Sequence, residues 1–290
     1  MALAGGTPPP QLSDFQSETL RGAPGFVRAG RTRTGTWWLL GPDDRPWFAC
    51  AADPAALAPV ADAEAWGAEV MVVTEDGVSG ASAGPWLGAI GFRPELPGVA
   101  IRLQGVHLPD VFAPGWAQAC QTRATGVCRH GRDDPRLLGW LPDPGLQWRQ
   151  TAAGLPCPTL LQVCLSLEPQ FAAYHAAWEF VLAAHGGNLG AVAAAWETPL
   201  PNRESLRQLT HADQVLRSAG HRHDAERFTR EFARLYFGAV AAALRNQDSS
   251  HLVIGTIPPD GPAAVGEAAA SLVDVLVMGS GALPPRLRPR

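Results

Sequence analysis

One aspartate stands where α/β enzymes often place a catalytic carboxylate. Asp143 follows the apolar run 137–141, which has the composition of a buried strand. Side chains at the carboxyl ends of such strands carry the chemistry of α/β barrels, and a carboxylate there can accept or donate a proton. An Asp before Pro144 is also typical of a turn, and with no Glu beside it the turn is the favoured interpretation.

Three further residues could contribute to binding a sugar. Trp140 and Trp148 could stack on a sugar ring. Trp140 lies within an apolar run and is more typical of a core, whereas Trp148 has polar neighbours and is the better surface candidate. Glu75 follows another apolar run and could supply a carboxylate, although its Glu-Asp-Gly loop needs no function. The candidate substrate-binding residues are therefore Asp143, Trp148, Trp140 and Glu75.

Signals for metals and cofactors are weak. His221, His223 and Asp224 resemble a small metal cluster, but they precede the helical pattern 224–245, so Asp224 as a helix N-cap beside solvated histidines is favoured. Cys128 and His130 have no partners at zinc-site spacing. The chain has no dinucleotide-binding, phosphate-loop or serine-hydrolase motif. We predict neither a metal nor another cofactor.

Composition predicts a globular protein with no general affinity for polyanions. The chain has 290 residues, 46% hydrophobic and 17% charged, with a net charge of −4. This balance gives no reason to expect binding to nucleic acid or to an anionic membrane. No apolar run has the length of a membrane helix. An odd count of five cysteines, without a secretory signal, predicts reduced thiols in the cytoplasm.

Short apolar runs alternate with helix-length gaps, which predicts an α/β fold with a parallel sheet. Before them, residues 26–29 and 36–40 alternate around a turn and predict a β-hairpin. A long helical block follows the fourth run and ends in the strongly periodic helix 224–245. The predicted strands are 47–51, 69–74, 99–103, 137–141, 252–256 and 273–278.

Three segments of the chain carry a family pattern in a fixed order. They are 35–48, which reads Gly-Thr-Trp-Trp-Leu-Leu-Gly-Pro-Asp-Asp-Arg-Pro-Trp-Phe, then 108–116 with 133–143, and then 232–255. Together they resemble the agarase and β-galactosidase-like glycoside hydrolases, which have (β/α)8 barrels. The block 189–198 is similar to part of the family's helical insertion. In order and spacing the resemblance covers about 26–280, and it implies a barrel of this kind.

The departures from the family pattern concern its catalytic residues. The family's acid/base is the Glu of an Asp-Asn-Glu triplet after strand four, and this chain reads Asp143, Pro144, Gly145 there. Gly145 has no proton to donate. The family's nucleophile comes from strand seven, and this chain has room for about six of the eight barrel strands. The resemblance therefore implies a barrel without the two carboxylates of a retaining glycosidase.

These observations predict an incomplete (β/α)8-like (TIM) barrel with an N-terminal hairpin and a helical insertion at about 165–222. We expect a flexible arm over 1–24, a single domain over 25–285 and a tail over 286–290. The favoured function is a catalytically degenerate glycoside-hydrolase-like protein that binds a carbohydrate or serves as a protein-interaction scaffold. The alternatives are an active glycosidase that uses other carboxylates, such as Glu75 or Glu168, or a partner chain, and a barrel kept for an unrelated reaction. Open barrel edges predict a homo-oligomer or a partner protein.

Overall fold

The protein is a mixed α/β structure. The computed structural model describes residues 9–47, 51–52, 70–74, 84–92, 100–103, 106–144, 146, 148, 157–212, 214–257 and 261–278. The strands are β1 (Arg28–Arg31), β2 (Trp37–Leu40), β3 (Pro46–Trp47), β4 (Ala51–Ala52), β5 (Val70–Thr74), β6 (Trp86–Ile90), β7 (Ala100–Leu103), β8 (Val106–Pro109), β9 (Leu137–Pro142), β10 (Leu252–Ile257) and β11 (Val275–Met278). The helices are α1 (Trp116–Cys128), α2 (Leu160–Leu165), α3 (Ala172–Ala184), α4 (Leu189–Ala195), α5 (Arg203–His211), α6 (Ala219–Gln247) and α7 (Ala263–Ala269). None of these helices combines the length and apolar character that crossing a membrane requires.

The main sheet has six strands in the order β11-β10-β9-β6-β5-β4. The pairs β4–β5, β5–β6, β6–β9 and β9–β10 are parallel. The order follows the chain, as in a (β/α) barrel. Within the described residues β4 and β11 end the order and no closed barrel forms, so this part of the protein is a partial barrel. The association expected to cover these edges stays a prediction.

The third strand of the sheet is not the one that the sequence predicts. Trp86–Ile90 pairs with β5 and β9, whereas Ala100–Leu103 forms an antiparallel ribbon with Val106–Pro109. Gly88 weakens the strand signal of the true strand, since Gly disfavours strands and packs no side chain. The structure explains this glycine. A Cβ at Gly88 would lie 2.5 Å from a ring carbon of Trp140.

The N-terminal hairpin is present as predicted. Strands β1 and β2 pair antiparallel, with Arg31 opposite Trp37, and β3 adds to β2. The segment 9–24, where the sequence predicts a loose arm, instead has defined contacts. Phe15 is 5% exposed and forms an isolated bridge with Thr32. Burial of its apolar ring stabilises the segment. The polar composition of the arm gives no sign of this burial.

The chain divides into two compact units where the sequence predicts one domain. The first comprises Met1–Ile90, Ala124–Pro142 and Leu244–Ile254, and it contains the hairpin and β9. The second comprises Gly91–Arg123, Asp143–Ala243 and Gly255–Arg290, and it contains the predicted helical insertion, α2 to α5.

The helices of the second unit begin where the sequence provides caps. Asn188 accepts hydrogen bonds from the backbone N–H groups of Gly190 and Ala191 at the start of α4. Helix α6 starts at Ala219, five residues before the predicted start at Asp224. Asp224 is therefore inside the helix and is not an N-cap.

Candidate functional site

Asp143 lies at the carboxyl end of β9, as predicted, but its carboxylate is engaged by the protein. The residue is 0% exposed. One carboxylate oxygen accepts a hydrogen bond from the backbone N–H of Phe92 at 2.9 Å, and the other accepts one from the Tyr236 hydroxyl at 2.6 Å. The backbone of Asp143 has φ 41°, a left-handed conformation that Asp tolerates better than most residues, and this turns the chain sharply after the strand. The Asp143 carboxylate therefore has a structural role and is not free to act as an acid or a base.

Trp148 is buried, so the prediction that it lies at the surface, where it could stack on a sugar, is wrong. It is 1% exposed and contacts Tyr236 edge-to-face at 5.6 Å and Phe237 in a stack at 5.9 Å. Polar neighbours in the sequence do not prevent burial when a helix distant along the chain supplies an aromatic face, as α6 does here. The indole Nε1 is buried with no hydrogen-bond partner among the described residues.

Trp140 belongs to the core, in a separate polar cluster. Its Nε1 donates to Asp248 Oδ2 at 2.7 Å, and His251 Nδ1 lies 2.7 Å from the same oxygen. Burial alone would raise the pKa of Asp248, but the hydrogen bonds from His251, Trp140 and Ser250 outweigh it and the pKa is lowered. No sugar ring can reach Trp140 in this position, because its exposed fraction is 0%.

The sequence His221 to Asp224 forms neither a metal site nor a solvated cap. Among the described residues no group of three His, Cys, Asp or Glu side chains could hold a metal ion. Asp224 Oδ2 accepts a hydrogen bond from Trp196 Nε1 at 2.8 Å and lies 2.8 Å from His185 Nε2. His221 is fully buried, and burial lowers its pKa to about 4, against the opposing attraction of Asp224.

Asp110 shows a similar structural role for another acidic residue of the family pattern. One of its oxygens accepts from the backbone N–H of Ala173 at 3.0 Å, at the start of α3. Burial raises the pKa of this carboxyl, against the lowering effect of the hydrogen bonds from Ala173 and Phe112. Asp110 thus supplies the cap that Phe171, at the N-cap position of α3, cannot supply with its own side chain.

A cavity of about 540 Å³ lies beside Trp148, and we call it the Trp148 cavity. Its walls come from the connection before α2, the segment before α6, the first turns of α6 and the start of α7. The lining residues are Trp148, Cys157, Pro158, Thr159, Leu160, Val215, Leu216, Arg217, Arg222, Ala225, Glu226, Thr229, Pro262, Ala263 and Ala264. The volume is within the range of about 300–1,000 Å³ typical of small-molecule sites, and the lining mixes apolar groups with a few polar ones.

Of the predicted site residues that the structure describes, one lies at this cavity. Trp148 lines it, whereas Asp143 and Trp140 are not among its lining residues. Glu75 and Gly145 lie outside the described residues. Glu168, the other alternative carboxylate, is 54% exposed and pairs with Arg207 at 3.2 Å, away from the cavity lining.

Sequence reasoning missed the arginines of the cavity and Tyr236. Arg217 and Arg222 lie before and in the first turn of α6, positions that carry no motif. Tyr236 is one of only two tyrosines in the chain, and it lies on the apolar face of the predicted helix. A hydroxyl on an otherwise apolar face needs a buried acceptor, which is the signal that could have identified its bond to Asp143.

Comparison with known proteins supports the fold. The crystal structure of an agarase matches 89% of this chain and 49% of its own, with 17% identity and a TM-score of 0.64. An exo-β-agarase matches 89% of this chain and 50% of its own, with 14% identity and a TM-score of 0.65. Over the matched residues, the fold of this chain is similar to that of the agarases. The chain spans about half the length of these structures.

Other comparisons add little. A β-galactosidase from Halorubrum lacusprofundi covers 80% of this chain and 39% of its own at 12% identity, and its TM-score of 0.40 is too low to bear on the fold. No protein-family model and no curated protein matches the sequence. Membership of the agarase family therefore stays a prediction from the sequence motifs, while the comparisons show that this α/β chain with its parallel sheet is similar in fold to part of these structures.

The bond between Tyr236 and Asp143 provides a first test of the structure. Tyr236→Phe leaves a buried carboxylate oxygen without its donor, and we expect the free energy of unfolding to fall by about 1–3 kcal/mol. Tyr174→Phe is the matched control, because Tyr174 is half-buried and its hydroxyl has no partner among the described residues. Urea denaturation of both variants measures the difference, and equal stabilities would contradict the structural role of Asp143.

Proposed function

We propose that the protein binds carbohydrate in the Trp148 cavity and does not hydrolyse glycosides. The environment of Asp143 is the observation that supports the absence of hydrolysis. It is the only carboxylate left in the triplet position, and its two oxygens are occupied by Phe92 and Tyr236. A buried carboxylate with both oxygens tied to protein donors is poorly placed to exchange a proton with a glycosidic oxygen.

The described lining of the cavity also offers no pair of carboxylates. Among its described lining residues only Glu226 is acidic. Retaining and inverting glycosidases each need two carboxyl groups that face one another across the scissile bond. A single carboxylate can instead accept hydrogen bonds from sugar hydroxyls, which is a binding role.

The lining of the cavity supports sugar binding. Thr159 and Thr229 contribute hydroxyls, Arg217 and Arg222 contribute guanidinium donors, and apolar side chains complete the walls. Small-molecule sites combine apolar walls with a few converging hydrogen-bonding groups of this kind. The likeness to agarases in fold is consistent with this proposal, although fold alone does not assign a ligand.

Ala263 allows the proposal to be tested with little risk to folding. It lines the cavity and is exposed at the start of α7, so Ala263→Trp places a large ring in the cavity without disturbing the core. Ala270→Trp, at the exposed far end of α7, is the control. Calorimetric titration with galactose-containing oligosaccharides is expected to show binding to the wild type and to Ala270→Trp, and none to Ala263→Trp.

The absence of hydrolysis is measured on the same preparations. We expect turnover of nitrophenyl galactosides and agaro-oligosaccharides to be about 10²–10⁴-fold below that of an active agarase, the factor that a positioned proton donor contributes. Robust turnover that disappears in Ala263→Trp would show that the cavity is an active site and would overturn the non-hydrolytic proposal.

A further inference from the structure

Two arginines at the Trp148 cavity have no acidic partner among the described residues. Neither Arg217 nor Arg222 forms an ion pair with any described side chain, although arginines elsewhere in the chain pair with Asp or Glu. Glu226, one helical turn after Arg222, is the only described carboxylate that lines the cavity, and it pairs with Arg230 at 3.3 Å and not with Arg222. The described lining therefore carries one net positive charge.

One hydrogen bond connects the side chain of Arg222 to the backbone of Arg217. Arg222 Nη1 donates to the backbone carbonyl of Arg217, which fixes one edge of the Arg222 guanidinium and leaves its other N–H groups available. Arg222 also lies in the first turn of α6, a helix of 29 residues whose N-terminal dipole favours a negative charge nearby.

Trp148 contributes a buried donor beside the same cavity. Its Nε1 has no hydrogen-bond partner among the described residues, and Trp148 lines the cavity. A buried N–H without an acceptor costs free energy. Because this atom has almost no accessible surface, a ligand oxygen reaches it only when the indole edge turns toward the cavity.

From these contacts we infer that the Trp148 cavity takes a sugar that carries an anionic group, a carboxylate or a sulfate, bound by Arg217 and Arg222. The inference rests on the proposed function, because it names the class of carbohydrate for the same cavity. Guanidinium groups bind carboxylates and sulfates with two parallel hydrogen bonds, which a neutral hydroxyl cannot match. Glu226 then accepts hydrogen bonds from the ring hydroxyls that the anionic group leaves free.

The test compares four probes on the same protein by calorimetric titration. The probes are galactobiose, a galacturonic-acid disaccharide, a sulfated galactose disaccharide and inorganic sulfate. We expect one or both anionic disaccharides to bind at least about tenfold more tightly than galactobiose, since each hydrogen bond to a charged group adds to affinity. This preference should weaken as the salt concentration rises.

Arg222→Gln and Arg217→Gln are expected to remove the preference for the anionic disaccharides over galactobiose, which is measured as the ratio of the two affinities in each variant. Arg227→Gln is the matched control on α6, because Arg227 lies over the Phe180 ring and does not line the cavity. Its binding should equal that of the wild type.

The outcomes separate this inference from the proposed function. Equal binding of neutral and anionic disaccharides, unchanged in Arg222→Gln, overturns the inference and leaves the carbohydrate site standing. Inorganic sulfate that binds as tightly as the sulfated disaccharide identifies a simple anion site and also overturns it. Binding of none of the three disaccharides overturns the proposed function itself.

Discussion

Asp248→Ala is expected to lower the free energy of unfolding by about 3 kcal/mol, the upper end of the cost of leaving a buried group unsatisfied, because several donors lose this carboxylate as their acceptor. The Asp248 carboxylate accepts hydrogen bonds from Trp140 Nε1 and from the backbone N–H groups of Ser250 and His251. His251 Nδ1 lies 2.7 Å from Asp248 Oδ2, and its Nε2 lies 3.0 Å from the carbonyl oxygen of Asp134. His251 thus bridges the Asp248 carboxylate and the carbonyl oxygen of Asp134.

The loss of Asp248 leaves His251 and Trp140 without their shared acceptor inside the first unit. His251 is 3% exposed and Trp140 is 0% exposed, so water does not replace the carboxylate there. Urea denaturation at pH 7 measures the effect. Asp248→Asn, which keeps the shape of the side chain but removes its charge, provides a second measurement if the alanine variant does not fold.

Asp133→Ala is the control for this prediction, because Asp133 lies on the surface with a side chain 90% exposed. Surface substitutions of this kind change stability by no more than about 0.5 kcal/mol. An Asp248→Ala protein as stable as Asp133→Ala would show that the cluster does not hold β9 and β10 in place as the structure indicates.

Acidification is expected to destabilise the protein through His221. Its pKa is lowered to about 4 in the folded state, chiefly because burial disfavours the charged ring, with Arg222 adding to the effect and Asp224 opposing it. The usual pKa of a histidine, about 6.5, applies to the unfolded chain. Between these two values the unfolded state binds the proton and the folded state does not, so stability is complete above pH 6.5 and falls as the pH approaches 4.

The size of the effect follows from the two pKa values. Lowering the pH from 7.5 to 5 should reduce the free energy of unfolding by about 2 kcal/mol through this group, and the full loss below pH 4 is about 3 kcal/mol. In His221→Gln this contribution is absent. The difference in stability between pH 7.5 and pH 5 should therefore be about 2 kcal/mol smaller in the variant than in the wild type.

His223→Gln provides the comparison for the pH experiment. His223 is exposed on α6, two residues from His221, and its replacement is expected to leave the pH dependence of stability unchanged. The measurement compares slopes with pH, so it stays informative even when His221→Gln lowers stability at every pH. Identical slopes in the wild type and His221→Gln would contradict the burial of a neutral His221.

Local patterns in the sequence determined most of the framework. The hairpin of β1 and β2, four of the six main strands and the periodic helix α6 follow from alternation and from runs of apolar residues. These signals are strong because each strand or helix must bury one face, whatever its neighbours are. The runs themselves predicted an α/β fold with a parallel sheet, whereas an incomplete barrel was implied only by the resemblance to the glycoside hydrolases.

Tertiary structure alone decided which residues are buried together. The strand Trp86–Ile90 was missed because Gly88 is required by the Trp140 ring packed on it, a contact across 52 positions of sequence. Trp148 and His221 look solvated beside their polar sequence neighbours, yet each is covered by residues distant along the chain. Asp143 has the sequence position of a catalytic group, and only the approach of Tyr236, 93 residues later, makes it structural. Sequence patterns report on one element at a time, whereas burial and hydrogen-bond partners depend on which elements meet.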